Sequence, residues 1–198
     1  MNKGRDFEEI KKELAKELKP SRYRHTLGVV ESAGILAEKY GADTLKAQYA
    51  ALLHDCAKSI SDEEKIRLCR KYKLPVSDAE LKNPSLLHAK CGAIYARHKY
   101  HIKDADILHA IYVHTTGCPD MSLLDKIIYT ADYIEPGRDK APNLDRIRRL
   151  ALEDLDRAVY EIARDTLQYL KDTNTELDET TVAVYNYYKK LISKGEEK

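Results

Sequence analysis

The sequence predicts an all-α protein, folded as a single domain of eight or nine helices. Apolar residues recur with helical spacing along nearly the whole chain, and no segment alternates polar and apolar residues over a strand length. Only eight glycines and six prolines occur among 198 residues, and they separate the apolar runs. Because neither a linker nor a repeat divides the chain, we expect one domain over residues 1–198.

The first half of the chain carries clear helix-boundary signals. We predict helices over residues 5–18, 21–40, 44–58, 62–72, 85–99, 104–114, 122–135, 144–171 and 179–193. Pro20 ends the first helix, and Ser21 can cap the second. Gly41 suits the end of the second helix, and Asp43 suits the cap of the third.

The later helices are bounded by the same kinds of residue. Ser61, followed three residues later by a glutamate, forms a capping box for the fourth helix. Pro84 suits the first turn of the fifth helix. Gly117 interrupts the chain, Ser122 can restart it, and Pro136 ends the helix that follows.

Charge and cysteine content narrow the classes of function. The formal net charge is +1, without the basic excess of a nucleic-acid binder, so we expect no DNA or RNA partner. The charged N-terminus Met1–Asp6 does not resemble a signal peptide, and no run of about 18 apolar residues predicts a membrane span. The four cysteines form no C-x-x-C pair, which argues against disulfides or a thiolate zinc site and favours a reducing cytoplasm.

The dipeptide His54-Asp55 is the most informative motif of the chain. It follows the apolar run Ala50–Leu53, and Lys58 lies one helical turn later. Burying an imidazole, a carboxylate and an ammonium close together is costly unless they bind something. A metal ion with a phosphate beside it would satisfy all three groups.

Further histidines and a buried carboxylate extend this motif to a candidate metal centre. The candidate ligands are His25, His54, Asp55, His88, His114 and Asp132. Nitrogen and oxygen donors without thiolate suit iron, manganese or another first-row divalent ion. Six ligands exceed what one open catalytic ion takes, so we predict two ions about 3.5–4 Å apart, bridged by Asp55 and a hydroxide. Such a pair hydrolyses phosphate esters or anhydrides. The other histidines, His98, His101 and His109, are interpreted as packing or surface residues.

These motifs resemble a known family. His25, His54-Asp55 and Asp132, in this order, are similar to the HD-domain metal-dependent phosphohydrolase superfamily, and His88 and His114 to the additional histidines of its two-metal members. A closer resemblance, to the YqeK-type symmetrical bis(5'-nucleosyl)-tetraphosphatases, is carried by Arg22-Tyr23-x-His25-Thr26-x-Gly28-Val29, His54-Asp55-x-Ala57-Lys58, Leu87-His88-Ala89, His114-Thr115-Thr116-Gly117 and Ala131-Asp132-Tyr133-Ile134-Glu135-Pro136-x-Arg138.

The resemblance implies an architecture and an activity. It implies an HD-domain helical bundle with a metal-binding core over residues 21–138 and C-terminal helices over 144–193 that help to form a nucleotide pocket. It also implies two divalent metal ions. Iron is the expected metal, and manganese or magnesium are the expected substitutes. The implied reaction is cleavage of diadenosine tetraphosphate, a small-molecule partner, into two ADP.

The same resemblance assigns roles to individual side chains. Asp55 and Lys58 are expected to be catalytic, and Lys58 and Arg138 to hold phosphate oxygens. The residues expected to contact the substrate are His25, Lys58, His88, His114, Arg138, Arg22, Thr115 and Thr181.

Several assignments leave alternatives open. Arg22 can reach the phosphate or cap its own helix, and Thr115 and Thr116 can donate to phosphate or cap a helix end. Glu135 either orients a ligand or lies on the surface. The C-terminal tyrosines Tyr185, Tyr187 and Tyr188 can stack on adenine, pack in the core or mediate a homodimer contact.

Two other functions remain compatible with the motifs. The first is a nucleotidase or cyclic-dinucleotide phosphodiesterase with the same fold and chemistry. The second is a non-catalytic regulator that binds metal and senses a nucleotide.

Overall fold

The computed structural model describes residues 5–196, and all regular structure in that range is helical. Its eleven α-helices are Phe7–Glu17 (α1), Pro20–Tyr40 (α2), Thr44–Leu53 (α3), Asp62–Lys71 (α4), Asp78–Lys82 (α5), His88–His98 (α6), Ala105–Val113 (α7), Leu123–Ile134 (α8), Leu144–Glu153 (α9), Leu155–Asp172 (α10) and Glu179–Glu196 (α11), with a 3₁₀ helix over Pro84–Leu87. The all-α prediction is confirmed. Residues 1–4, which carry most of the N-terminal segment judged unlike a signal peptide, lie outside the described range.

The number of helices exceeds the predicted eight or nine for two local reasons. The segment predicted as one helix over 144–171 is interrupted at Asp154, whose backbone is extended (φ −149°, ψ 100°) and whose side chain accepts from the Arg157 amide to begin α10. A short helix, α5, was not predicted. It begins at a capping box in which Ser77 and Glu80 satisfy each other's backbone amides.

The predicted helix over 44–58 ends early, at Leu53. Tight turns follow, in which the Cys56 amide donates to the Leu53 carbonyl at 3.1 Å and the Lys58 amide donates to the Asp55 carbonyl at 2.9 Å. The His54-Asp55 pair therefore lies just beyond a helix end, where backbone groups are free to hold side chains.

Most predicted helix caps are confirmed. They are Gly41, in the left-handed conformation with φ 68°, and the side-chain caps Asp43, Ser61 and Ser122. Glu64, however, pairs with Arg67 at 2.7 Å instead of completing the box with Ser61. The predicted cap at Ser21 is wrong, because Pro20 already occupies the first turn of α2, where its fixed φ suits a helix start.

One apolar core joins the N-terminal and C-terminal helices. Leu52 of α3, Ile128 of α8 and Ile162 of α10 belong to the same buried cluster. Tyr188 of α11 is buried there too, and its hydroxyl accepts a hydrogen bond from the Met121 amide at 3.2 Å. Among the described helices, none combines the length and apolar character that crossing a membrane requires.

The C-terminal tyrosines make contacts within the chain. The ring of Tyr185 stacks on Tyr160 with centroids 5.4 Å apart. The Tyr187 hydroxyl donates to Asp120 at 2.8 Å. These contacts, with the burial of Tyr188, support the packing interpretation of these aromatic residues.

Candidate metal centre

The fold brings all six candidate ligands together. His25 lies on α2, His54 and Asp55 directly after α3, His88 at the start of α6, His114 at the end of α7 and Asp132 on α8. The Nε2 atom of His25 is 3.0 Å from Asp132 Oδ1, and the Nε2 atom of His88 is 3.1 Å from Asp55 Oδ1. Residues separated by more than a hundred positions thus form one cluster, most of it buried.

Three of the histidines are oriented in the same way by the backbone. The Nδ1 atoms of His54, His88 and His114 donate to the carbonyl three residues earlier, namely those of Ala51, Ser85 and Ile111, at 2.6, 2.6 and 2.8 Å. His54 and His114 follow the last residues of α3 and α7, and His88 follows the 3₁₀ helix Pro84–Leu87, so each accepting carbonyl lies in the last turn of a helix. The hydrogen therefore lies on Nδ1, and Nε2 presents a lone pair to the cluster.

The fourth histidine is oriented by a carboxylate. His25 Nδ1 donates to Glu135 Oε1 at 3.1 Å, and Glu135 Oε2 accepts from the Gly137 amide at 2.6 Å. Gly28 makes room for this carboxylate, because a Cβ atom at that position would lie 2.5 Å from Glu135 Oε2. The sequence left open whether Glu135 orients a ligand or lies on the surface. It is buried against His25.

These orientations leave acceptor atoms facing each other. The Nε2 atoms of His88 and His114 are 3.1 Å apart, although each ring already carries its hydrogen on the other nitrogen. His25 Nε2, His54 Nε2 and Asp55 Oδ1 are buried without a hydrogen-bond partner. Buried acceptors that converge without donors are unfavourable unless a cation lies among them. The residues therefore fit a divalent metal, and the donor set of imidazole and carboxylate suits a first-row ion.

Asp55 lies between two groups of possible ligands. Its Oδ2 atom is 3.4 Å from His54 Nε2 and 3.9 Å from His25 Nε2. Its Oδ1 atom is 3.1 Å from His88 Nε2 and 3.8 Å from His114 Nε2. Asp132 Oδ1 lies 3.0 Å from His25 Nε2 and 4.0 Å from His54 Nε2, and it also shares a group of possible ligands with His54 and His114. Groups of three donor atoms here lie within 4.8 Å of one another, as a metal requires.

The protonation states suit metal ligands. Burial lowers the pKa of His114 to about 3, and the neighbouring His88 and His54 add to this effect. Burial also lowers the pKa of His88, against the opposing influence of Asp55. Although burial raises the pKa of Asp55, His54 and His88 together outweigh it and hold that pKa well below its usual value. Neutral imidazoles and an ionised carboxylate are the forms that bind a metal.

The pKa of His54 and the contacts of two arginines show that the cluster favours positive charge. Burial lowers the pKa of His54, but the carboxylates of Asp55 and Asp132 and the Ala51 carbonyl together outweigh burial, so this pKa is raised. Arg22 donates to Asp55 Oδ2 at 2.7 Å, and Arg138 donates to Asp132 Oδ1 at 3.1 Å and to its carbonyl at 2.8 Å. Arg22 therefore faces the cluster and does not cap its own helix, while its contact with phosphate stays a prediction.

Lys58 contacts the cluster at His88. Its Nζ atom is 3.3 Å from His88 Nδ1 and 3.2 Å from His88 Nε2. Burial lowers the pKa of Lys58, and Asp55 acts in the opposite direction. An ammonium that sits against a neutral imidazole keeps donors free for an anion.

Two cavities adjoin the cluster. One, of about 200 Å³, is lined by Ser21, Arg22, His25, Glu135 and Arg138. Another, of about 400 Å³, is lined in part by Thr115, Thr116 and Thr181. We call the second the threonine cavity. Thr115 Oγ1 lies 3.1 Å from His114 Nε2, so this cavity adjoins the cluster.

Two acidic side chains beside the threonine cavity, Glu176 and Asp178, already have partners. Glu176 pairs with Lys82 at 2.7 Å. Asp178 accepts from the amides of Thr180 and Thr181 at 2.9 and 3.3 Å and so begins α11. An anion in this cavity therefore does not meet two unpaired carboxylates.

Similar proteins were found for most of the chain. Residues 22–137 match the family described as HD domain. A protein of Halalkalibacterium halodurans named "Bis(5'-nucleosyl)-tetraphosphatase, symmetrical" is 42% identical over 94% of this chain and 96% of its own length. A protein of the same name from Bacillus subtilis is 40% identical over 88% of this chain and 92% of its own length.

A solved structure is also similar. It comes from Clostridium acetobutylicum and is described as a predicted HD superfamily hydrolase involved in NAD metabolism. It superposes with a TM-score of 0.90 at 40% identity, over 94% of this chain and 98% of that one. At this identity and coverage the likeness extends to the C-terminal helices as well as to the HD region.

Replacing Gly28 with alanine tests the role of Glu135. The new Cβ would displace the carboxylate that orients His25, so we expect Gly28→Ala to weaken binding of one divalent ion about 10–100-fold, as loss of an outer-shell partner typically does. Titration calorimetry with Mn²⁺ measures the effect.

Gly34→Ala on the same helix is the matched control. Its Cβ would meet only Gln48 Nε2, at 3.6 Å, an ordinary contact. We expect unchanged Mn²⁺ affinity and a free energy of unfolding higher by about 0.5–1 kcal/mol. Equal Mn²⁺ affinity in wild type and Gly28→Ala would show that Glu135 does not position a metal ligand.

Proposed function

The chain belongs to the HD domain family. We propose that it is a divalent-metal-dependent hydrolase that cleaves diadenosine tetraphosphate symmetrically into two ADP. The observation that carries the proposal is the position of Asp55, whose two oxygens face two separate histidine pairs. The substrate follows from the relatives named symmetrical bis(5'-nucleosyl)-tetraphosphatase.

We assign the two ligand groups as follows. His25, His54 and Asp132 would hold one ion, His88 and His114 would hold the other, and Asp55 would contact both. Bound divalent ions would supply an acidified water and neutralise charge on the phosphoryl oxygens. Iron as the resident metal, and a cytoplasmic location, remain predictions from the resemblance and from cysteine usage.

The cationic side chains are proposed to bind the polyphosphate. Arg22 donates to the carboxylate of Asp55 at 2.7 Å, and Arg138 donates to that of Asp132 at 3.1 Å. Both arginines line the 200 Å³ cavity. A bound cation would take over the neutralisation of those carboxylates, which frees guanidinium donors for phosphate oxygens. Lys58 would contact the scissile phosphate from the His88 side, where it offsets charge that develops during phosphoryl transfer.

The cavities support a substrate laid across the cluster. We propose that one ADP moiety occupies the threonine cavity, with Thr115 and Thr181 at its wall, and that the other passes between Arg22 and Arg138. In the reaction a water oxygen bonds to an inner phosphorus and the central P–O–P bond breaks. The leaving oxygen keeps the bonding electrons as part of ADP. Because the break falls between the second and third phosphates, both products are the same molecule.

Product identification tests the proposed reaction. Protein purified without oxygen and supplied with Fe²⁺ or Mn²⁺ should convert diadenosine tetraphosphate to ADP alone, as resolved by anion-exchange chromatography. His54→Ala should reduce turnover at least a thousandfold, because it removes a metal ligand but leaves the fold's core intact.

The same assay separates the competing functions. Equimolar AMP and ATP would overturn the symmetric placement of the substrate. Faster turnover of a mononucleotide or a cyclic dinucleotide in a substrate panel would favour another HD hydrolase. Stoichiometric binding of the nucleotide without turnover would favour a regulator.

Removal of the Lys58 ammonium tests its contact with the reacting phosphate. We expect Lys58→Ala to lower kcat about 10²-fold, the usual cost of losing one donor to a transition state. Lys126→Ala is the control, since Lys126 pairs with Asp156 at 2.8 Å away from the cluster and should keep wild-type kcat. If Lys58→Ala raised only KM, its role would be binding of the ground state rather than catalysis.

A further inference from the structure

A second group of potential ligands lies outside the centre. His109 of α7, Cys118 of the following loop and Asp125 in the first turn of α8 each offer a donor atom within 4.8 Å of the others. His109 Nδ1 is 3.0 Å from both carboxylate oxygens of Asp125. This group is not apparent from the sequence, because the three residues show no recognised metal-binding spacing, and His109 is interpreted there as a surface or packing residue.

We propose that His109, Cys118 and Asp125 bind one zinc-class divalent cation. An imidazole, a thiolate and a carboxylate are three of the ligand types that Zn²⁺ takes, and three protein ligands leave the fourth tetrahedral position to water. With metal–ligand bonds of about 2.0–2.3 Å, tetrahedral donors lie about 3.3–3.6 Å apart. Side-chain movements on the order of 1 Å therefore suffice to convert the observed spacing into a coordination sphere.

One ligand of the site is already fixed in place. Asp125 completes the capping box of α8, where its Oδ2 accepts from the Ser122 amide at 2.9 Å and its amide donates to Ser122 Oγ at 3.2 Å. Its side chain is 2% exposed, whereas that of His109 is 54% exposed. A buried, anchored carboxylate beside an accessible imidazole gives a cation both a preorganised ligand and a route from solvent.

Cys118 distinguishes this site from the main centre. It is the one cysteine of the four that is not buried, and the main cluster contains no thiolate. Cys56, adjacent to Asp55 in the chain, donates its thiol hydrogen to the Gly92 carbonyl at 3.6 Å. A cation that prefers softer ligands would therefore select the site at Cys118.

Occupation of the site would tie α7 to α8 across the loop between them. That loop carries Thr115, which contacts His88 and His114 at the main centre. On its other side the loop is held by α11, through the Tyr187 contact to Asp120. The inference concerns cation binding only, and it does not depend on the proposed hydrolysis.

Titration with Co²⁺ tests the site, because a thiolate ligand gives an absorption band that the main centre, which has no thiolate, does not give. The protein, loaded at its main centre, is titrated with Co²⁺ and the thiolate-to-cobalt charge-transfer absorption is followed. We expect one equivalent to produce this absorption in wild type. Cys118→Ala should abolish it, His109→Ala should weaken binding at least tenfold, and Cys56→Ala should leave both unchanged.

Thiol alkylation gives a second, independent measurement. Iodoacetamide should modify Cys118 in the folded protein, and Zn²⁺ should slow that reaction in wild type but not in His109→Ala. The proposal is overturned if saturating Co²⁺ gives no thiolate absorption, if the absorption survives in Cys118→Ala, or if Zn²⁺ protects Cys118 equally without His109. Both variants leave the Ser122–Asp125 capping box intact, so loss of folding does not confound the result.

Discussion

The structure depends on fixing which nitrogen of each histidine carries the hydrogen. Three rings donate Nδ1–H to the carbonyl three residues earlier at a helix end, and the fourth donates to Glu135. Their Nε2 lone pairs then point toward Asp55 and Asp132. The last turn of each helix therefore orients a candidate ligand, because one of its carbonyls accepts from the ring of the histidine that follows it.

In this arrangement, buried nitrogen and carboxylate oxygen acceptors repel one another inside the fold. Buried acceptors within about 3 Å of each other oppose folding unless positive charge is supplied. Arg22 and Arg138 supply part of that charge from the rim, and a raised pKa at His54 indicates that more is needed. Helices α2, α3, α8 and α10 share a continuous apolar core. The free energy gained by burying this core offsets the cost of the acceptor cluster.

The sequence indicated which side chains lie together more clearly than it indicated the structure around them. His54-Asp55 stood out because a charged pair ends an apolar run, and Asp132 because it interrupts one. Glu135 stayed ambiguous, since only the fold shows it against His25 beside Gly28. The break at Asp154 also escaped prediction, because its flanking residues carry neither proline nor glycine.

Anomalous diffraction from crystals soaked in Mn²⁺ would show whether Asp55 joins two cations in one cluster. We expect two manganese peaks about 3.5–4 Å apart, each in contact with a different oxygen of Asp55, with His25 and His54 on one ion and His88 and His114 on the other. A single peak, or two peaks that do not share Asp55, would contradict this expectation.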